Sequence, residues 1–157
     1  MSFPNKNENV DIYRDTLLRY LGYSNEVGEA FRSLVKKQVV HASYAVAIGY
    51  VLCDTADKAK QKYKLPEALG GGARGALIAS GDTLIWQMLA SVMIPGFTIN
   101  RICWATKKLL TMTEARKLGW IKFVPTLIGL ASIPLIIHPI DRGVDELMDK
   151  TYRKYVS

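Results

Sequence analysis

The sequence predicts an all-α membrane protein with three transmembrane helices, at least one of them kinked by proline, flanked by N- and C-terminal amphipathic helices. Three observations carry that prediction. Residues 38–53 (QVVHASYAVAIGYVLC), 83–100 (TLIWQMLASVMIPGFTIN) and 123–140 (FVPTLIGLASIPLIIHPI) contain no Asp, Glu, Lys or Arg. A hydrocarbon core of about 30 Å takes roughly 20 helical residues. These runs of 16, 18 and 18 residues reach that length once Lys36, Lys37, Arg101 and Lys122 lie along the helix with their charges at headgroup depth. Next, the segments between the runs are basic. Finally, the central halves of the runs have almost no polar face, whereas helices of a soluble domain usually carry one. A soluble all-helical domain with buried helices is the alternative, and the mean hydropathy of +0.06 does not separate the two because polar loops dilute the apolar runs.

The 157 residues allow a single membrane domain, 1–157, with no room for a separate catalytic module. A formal charge of +7 and a pI near 9.4 raise the question of nucleic acid. The basic residues are spread through every polar segment, whereas nucleic-acid readers gather them on one face. Anionic lipid headgroups suit the spread better. Cys53 and Cys103 form no CxxC or Cys/His cluster and fall at opposite ends of successive runs, too far apart for a disulfide. The start, MSFPNKNENVD, reads as neither a secretory signal nor a cleavable presequence.

Taken in order, residues 10–21 read as an amphipathic helix: Val10, Tyr13, Leu17, Tyr20 and Leu21 share one face, opposite Asp11, Asp15 and Arg19. Asn9 is its expected N-cap and Asp15–Arg19 an i,i+4 pair. Gly22 ends it, and Ser24-Asn25 caps a second helix, 26–53, which is expected to continue through Phe31, Leu34 and Val35 into the first span. Residues 54–75, with Lys58, Lys60, Lys62, Lys64, Pro66 and Gly70-Gly71-Gly72, read as a helix extension and a turn. GGGARG lacks the ending of a phosphate-binding loop and follows no strand. The second span is expected over 76–100, where Pro95-Gly96 either kinks the helix or ends it, with Thr98 then capping a new one. The third is expected over 121–140, with Pro125 in its first turn and Pro134 as a kink. Asp141 is the expected N-cap of an amphipathic tail helix, 142–155, that places Val144, Leu147, Met148, Tyr152 and Tyr155 on one side.

Chemistry is sparse. The two histidines, His41 and His138, sit near run ends and read as hydrogen-bonding groups. No nucleophile–base pair, metal-ligand spacing or cofactor motif is present, so no catalytic, cofactor or metal residue is assigned. Asp54 and Asp82, at the ends of the first two runs, are expected to pair with Lys58 or Arg74 as interfacial salt links, an ion path being the alternative. Ser43/Ala47, Ala45/Gly49 and Gly75/Ala79 have small-xxx-small spacing that lets helices approach closely. Trp86, Trp104 and Trp120 suit interfacial anchoring, with core filling the alternative for Trp86.

Three blocks, YRDTLLRYLGYSNEVGEAFRSLV (13–35), DTLIWQMLASVMIPGFTINRIC (82–103) and IPLIIHPIDRGVD (133–145), resemble the mitochondrial fission process proteins of the inner mitochondrial membrane. They cover over a third of the chain in the family's order. The resemblance implies an integral inner-membrane protein that promotes mitochondrial division and influences organelle shape and cell survival. It supplies no catalytic residue. It marks Asn25, Glu26, Pro95, Gly96, Asn100, Arg101, His138, Asp141 and Arg142 as structural or contact positions, beside Tyr13 and Leu17 on the N-terminal face and Asp82 in the second run. The expected partners are other inner-membrane proteins, anionic lipid such as cardiolipin, and further copies of the chain, with no nucleic acid. A structural subunit of a respiratory or ATP-synthesising complex is one rival. A small solute carrier is the other, although Val144 sits where the carrier motif echoed by PID (139–141) wants a base, and no threefold repeat exists. With three spans the N-terminus is expected in the matrix, on the side bearing twelve Lys and Arg against nine, and the C-terminus outside.

Overall fold

Long helices account for almost all of the described residues, which in this computed structural model are 12–113 and 117–156 without the side chains of Arg14 and Asp15, and no strand occurs among them. The elements are α1 (Ile12–Asp15), a 3-10 stretch (Leu17–Tyr23), α2 (Ser24–Phe31), α3 (Lys37–Lys64), a 3-10 turn (Glu67–Leu69), α4 (Gly72–Gln87), a π-helical stretch (Met88–Met93), α5 (Ile94–Thr111), a 3-10 stretch (Gly119–Phe123), α6 (Val124–Lys150) and α7 (Tyr152–Val156). Three helical units, Lys37–Lys64, Glu67–Thr111 and Gly119–Val156, are long and apolar enough to cross a membrane. Their large apolar side chains largely face outward: Val46, Leu52, Phe97, Leu127 and Leu135 are exposed. Asn25, Glu26, Glu29, Asp54, Gln87 and Thr126 are buried among the helices. That inversion suits lipid, where polar groups are held inside the bundle.

Four segment boundaries differ from the sequence expectation. The N-terminal amphipathic segment is helical but broken at Thr16, whose extended backbone (ψ 174°) separates α1 from the 3-10 stretch. The Thr16 hydroxyl accepts from the Leu18 amide at 3.2 Å and donates to the Ile12 carbonyl, the local competition by which Thr disfavours a helix interior. Asn9, Val10 and the Asp15–Arg19 pair lie outside the described residues.

Second, 26–53 is not one helix. After Phe31 the chain turns through residues 32–36 and α2 packs back antiparallel to α3: Gly22 lies against the Tyr50 ring and Gly28 against Ser43 and the Val40 backbone. A Cβ on Gly28 would fall 1.9 Å from Ser43 Oγ, so only glycine allows this approach. Ser24 does not cap α2 by its side chain; its one hydroxyl hydrogen is shared between the carbonyls of Leu21 and Ser43, both 2.8 Å from the oxygen.

Third, the second span runs past its expected boundary at residue 100, and of the two readings left open at Pro95-Gly96 the one in which the helix ends there is not met. The helix continues to Thr111, and the turn before Pro95 is π-helical, a widening that makes room for a ring that would crowd the preceding carbonyl. Thr98 donates back to the Ile94 carbonyl at 2.7 Å and is not a cap. Fourth, Asp141 lies inside α6, which runs past Pro134 and Pro139 to Lys150. The reason is tertiary: Val144 and Met148 are buried with Ala90, together with Ile140, Trp86 and Tyr152, so one continuous face of α6 packs across the expected boundary.

The chain therefore doubles back along α3 before that helix begins. Tyr13 lies beside the middle of α3, where its carbonyl accepts from the Tyr50 hydroxyl at 2.6 Å and the two rings meet edge-on at 5.8 Å. The C-terminal part of α6 reaches the same level: Arg19 and Tyr23 share a cleft with Asp141 and Asp145. The expected placement of 1–37 beside 101–122 is thus corrected for residues 12–23, which lie with the C-terminal helix.

Candidate functional site

Helix α2 is the centre of the molecule and is inside-out. Asn25, Glu26 and Glu29 face inward and are buried, while Val27 is exposed. Small residues permit this: Ala30 packs against Gly129 of α6, where a Cβ would meet Cys103 Sγ at 2.6 Å, and Gly28 packs against α3.

Glu29 gathers donors from α3, from α5 and from the turn that follows α2. Arg32 grips it with two bonds of 2.6 Å, Nε to Oε2 and Nη2 to Oε1. The Tyr44 hydroxyl of α3 donates to Oε1 at 2.9 Å, and Asn100 Nδ2 of α5 donates to Oε2 at 2.8 Å. A forked guanidinium with two further donors is the arrangement that holds a buried carboxylate in its charged form. Asn100 Oδ1 in turn accepts from Arg101 Nη2 at 2.7 Å, and the Arg101 guanidinium lies over Phe97 and Trp104, 5.4 and 5.6 Å from the ring centroids. Gly96 makes room for this cluster, since a Cβ there would fall 2.5 Å from the Tyr44 hydroxyl.

One turn away Asn25 donates to the Val92 carbonyl at 3.0 Å, inside the π-helical stretch. Its neighbour Glu26 is 1 % exposed, with both carboxyl oxygens unpartnered. Of the sequence-selected positions, Asn25, Gly96, Asn100 and Arg101 thus meet around Glu29 or the π-helical stretch, next to buried Pro95.

The others lie elsewhere. Asp82 pairs with Arg153, at 2.6 and 3.1 Å, and not with Lys58 or Arg74; Arg153 also reaches Asp145 at 3.1 Å and Asp149 at 2.9 Å. Asp54 has its expected neighbour Lys58 at 3.5 Å and accepts from Gln87 at 2.7 Å. His138 and Arg142 line an open surface cleft with Glu146, and Leu17 is 81 % exposed. Of the small pairs, Ser43 and Ala47 face the core, while Ala45 is exposed and Gly49 has no atom within 4 Å of where its Cβ would stand.

Glu29 and Tyr44 were not singled out by sequence. An acid in the first helical turns reads as a partner of the helix dipole; the only local sign of burial is Gly28 and Ala30 flanking it. Among the described residues no group of His, Cys, Asp and Glu could hold a metal ion.

An apolar exterior, three membrane-length helices and a polar centre define a helical membrane protein. The chain belongs to the mitochondrial 18 kDa protein (MTP18) family, whose model matches residues 12–70 and 74–148. It is 53 % identical over 144 residues to human mitochondrial fission process protein 1, covering 92 % of this chain and 87 % of that one. It is also 53 % identical to the Caenorhabditis elegans protein of the same name, with 92 % and 87 % covered, and 51 % identical to that of Danio rerio, with 94 % and 90 % covered. It is a mitochondrial membrane protein. No solved structure matches it.

Proposed function

We propose that this chain is an integral protein of the inner mitochondrial membrane that promotes mitochondrial fission and organises that membrane by binding proteins and anionic lipid, with no catalytic step. The names of its relatives support the role in fission. The observation that carries the binding mode is the N-terminal face: Leu17 and Tyr20 are 81 % and 68 % exposed, beside exposed Ile12, Leu18 and Leu21. Contiguous apolar surface of this kind marks a place where another protein or the bilayer docks. The partners are other proteins of the same membrane.

The test is complementation in cells lacking the endogenous protein. Leu17→Asp is expected to insert normally, resist alkaline carbonate extraction, and fail to restore division; normal division with this variant overturns the role of the N-terminal face.

A further inference from the structure

The two ends of the bundle differ in charge. Residues 32–37, 101–113 and 117–123, which form one end, contain eight Lys and Arg and no acid, whereas 12–23, 54–82 and 141–156, at the other, contain eleven and nine. The basic end also carries a girdle of exposed Trp104, Trp120 and Phe123, with Lys108 Nζ 5.0 Å from the Trp104 centroid and Lys122 Nζ 5.0 Å from that of Phe123. Amphipathic rings and long cations at one level are the mark of a headgroup layer. Between the end of α5 and the start of α6, within this girdle, lies a cleft of about 280 Å³ with Leu110, Leu118 and Ile121 in its wall and Ser33, Lys107 and Lys122 at its polar edge. Both lysines are exposed.

We propose that this cleft holds one anionic phospholipid of the surrounding bilayer, its phosphate between Lys107 and Lys122 and its acyl chains along the apolar wall. Two cations beside a leucine- and isoleucine-lined cleft match an amphiphile. A free phosphate would leave the wall bare, and a neutral lipid would leave both charges unanswered. At the other end the acids nearly balance the cations in number, and Arg153 is held by Asp82, Asp145 and Asp149, so an anionic headgroup meets little net positive charge there. The proposal rests on the membrane reading above but not on the role in fission.

The test uses the full chain in nanodiscs of phosphatidylcholine containing a minor fraction of diphosphatidylglycerol, with retained lipid measured by native mass spectrometry. A lysine near a membrane surface contributes about 1 kcal/mol to binding anionic lipid, about fivefold. Lys107→Gln with Lys122→Gln is therefore expected to lower retention of the anionic lipid roughly thirtyfold. Lys58→Gln with Lys62→Gln, the same charge change at the other end, is expected to alter it less than about twofold. Far-ultraviolet circular dichroism confirms that both variants are folded. Equal losses for the two pairs, no loss for the first pair, or displacement of the lipid by soluble glycerophosphate would each overturn the proposal. Loss of the lipid from the Lys107/Lys122 variant with normal division in cells leaves this proposal standing and counts against anionic-lipid binding as part of the proposed function alone.

Discussion

Glu26 and Glu29 stand three residues apart on one helix, 1 % and 3 % exposed, and the bundle treats them oppositely. Glu29 receives four hydrogen bonds from three side chains. Glu26 receives none. An ionised carboxylate away from water is tolerated where donors replace its hydration, and otherwise the neutral form is favoured. The difference comes from what the neighbouring helices offer at each level: Tyr44 and Asn100 point at Glu29, while no side-chain donor reaches Glu26. Burial of an acid in this molecule therefore does not by itself identify a structural ion pair; the partners do.

The largest effect is expected from Glu29→Leu, which strands Arg32, Tyr44 and Asn100 together. Breaking a buried pair on one side costs about 3–5 kcal/mol, here toward the lower value because Arg32 is 38 % exposed. For a chain of this size that is a fall of roughly 10 °C in the melting temperature of the purified protein in detergent. Gly28→Ala is expected to cost about 2–3 kcal/mol by pushing α2 off Ser43. Ser43→Gly on the same chain restores part of that loss, and a double-mutant cycle with no coupling would disprove the contact. Tyr44→Phe removes one bond to a charged acceptor and is expected to cost about 2 kcal/mol. Glu26→Gln comes last, with a change within about 1 kcal/mol, because the amide keeps the shape of the neutral carboxyl and no partner is lost. A fall for Glu26→Gln as large as that for Glu29→Leu would erase the distinction between the two acids.

Much of the fold is legible because charge-free runs of membrane length have few other uses, and those runs contain the central parts of α3, the α4–α5 helix and α6. The reversal between α2 and α3 is not legible: Arg32-Ser33-Leu34-Val35-Lys36 holds neither Gly nor Pro, and only the fit of Gly28 on Ser43 and of Ala30 on Gly129 turns the chain there. Asp141 after Pro139 carries a strong local start signal that lost to the packing of Val144 and Met148. At the site, the family resemblance pointed to Asn25, Gly96 and Asn100 without saying why they belong together. The reason for Gly96 and Asn100 is Glu29, whose burial depends on three helices folding around it and so leaves no trace in local pattern, while Asn25 answers the Val92 carbonyl of the π-helical stretch. Asp82 was flagged for the right chemistry and the wrong partner, since Arg153 lies 71 residues away in sequence.

The π-helical stretch over Met88–Met93 has a consequence for phase. Each residue of an α-helix advances about 100° around its axis, and a π turn accommodates one more residue per hydrogen-bonded ring than an α turn. The stretch therefore works as a clutch between two halves of one rod, letting α4 present Asp82 to Arg153 while α5 presents Asn100 to Glu29. A single-residue deletion within it, such as removal of Leu89, would re-engage ordinary helical gearing and turn Asn100 about a quarter of a revolution away from its acid, with no side chain at the site having been touched.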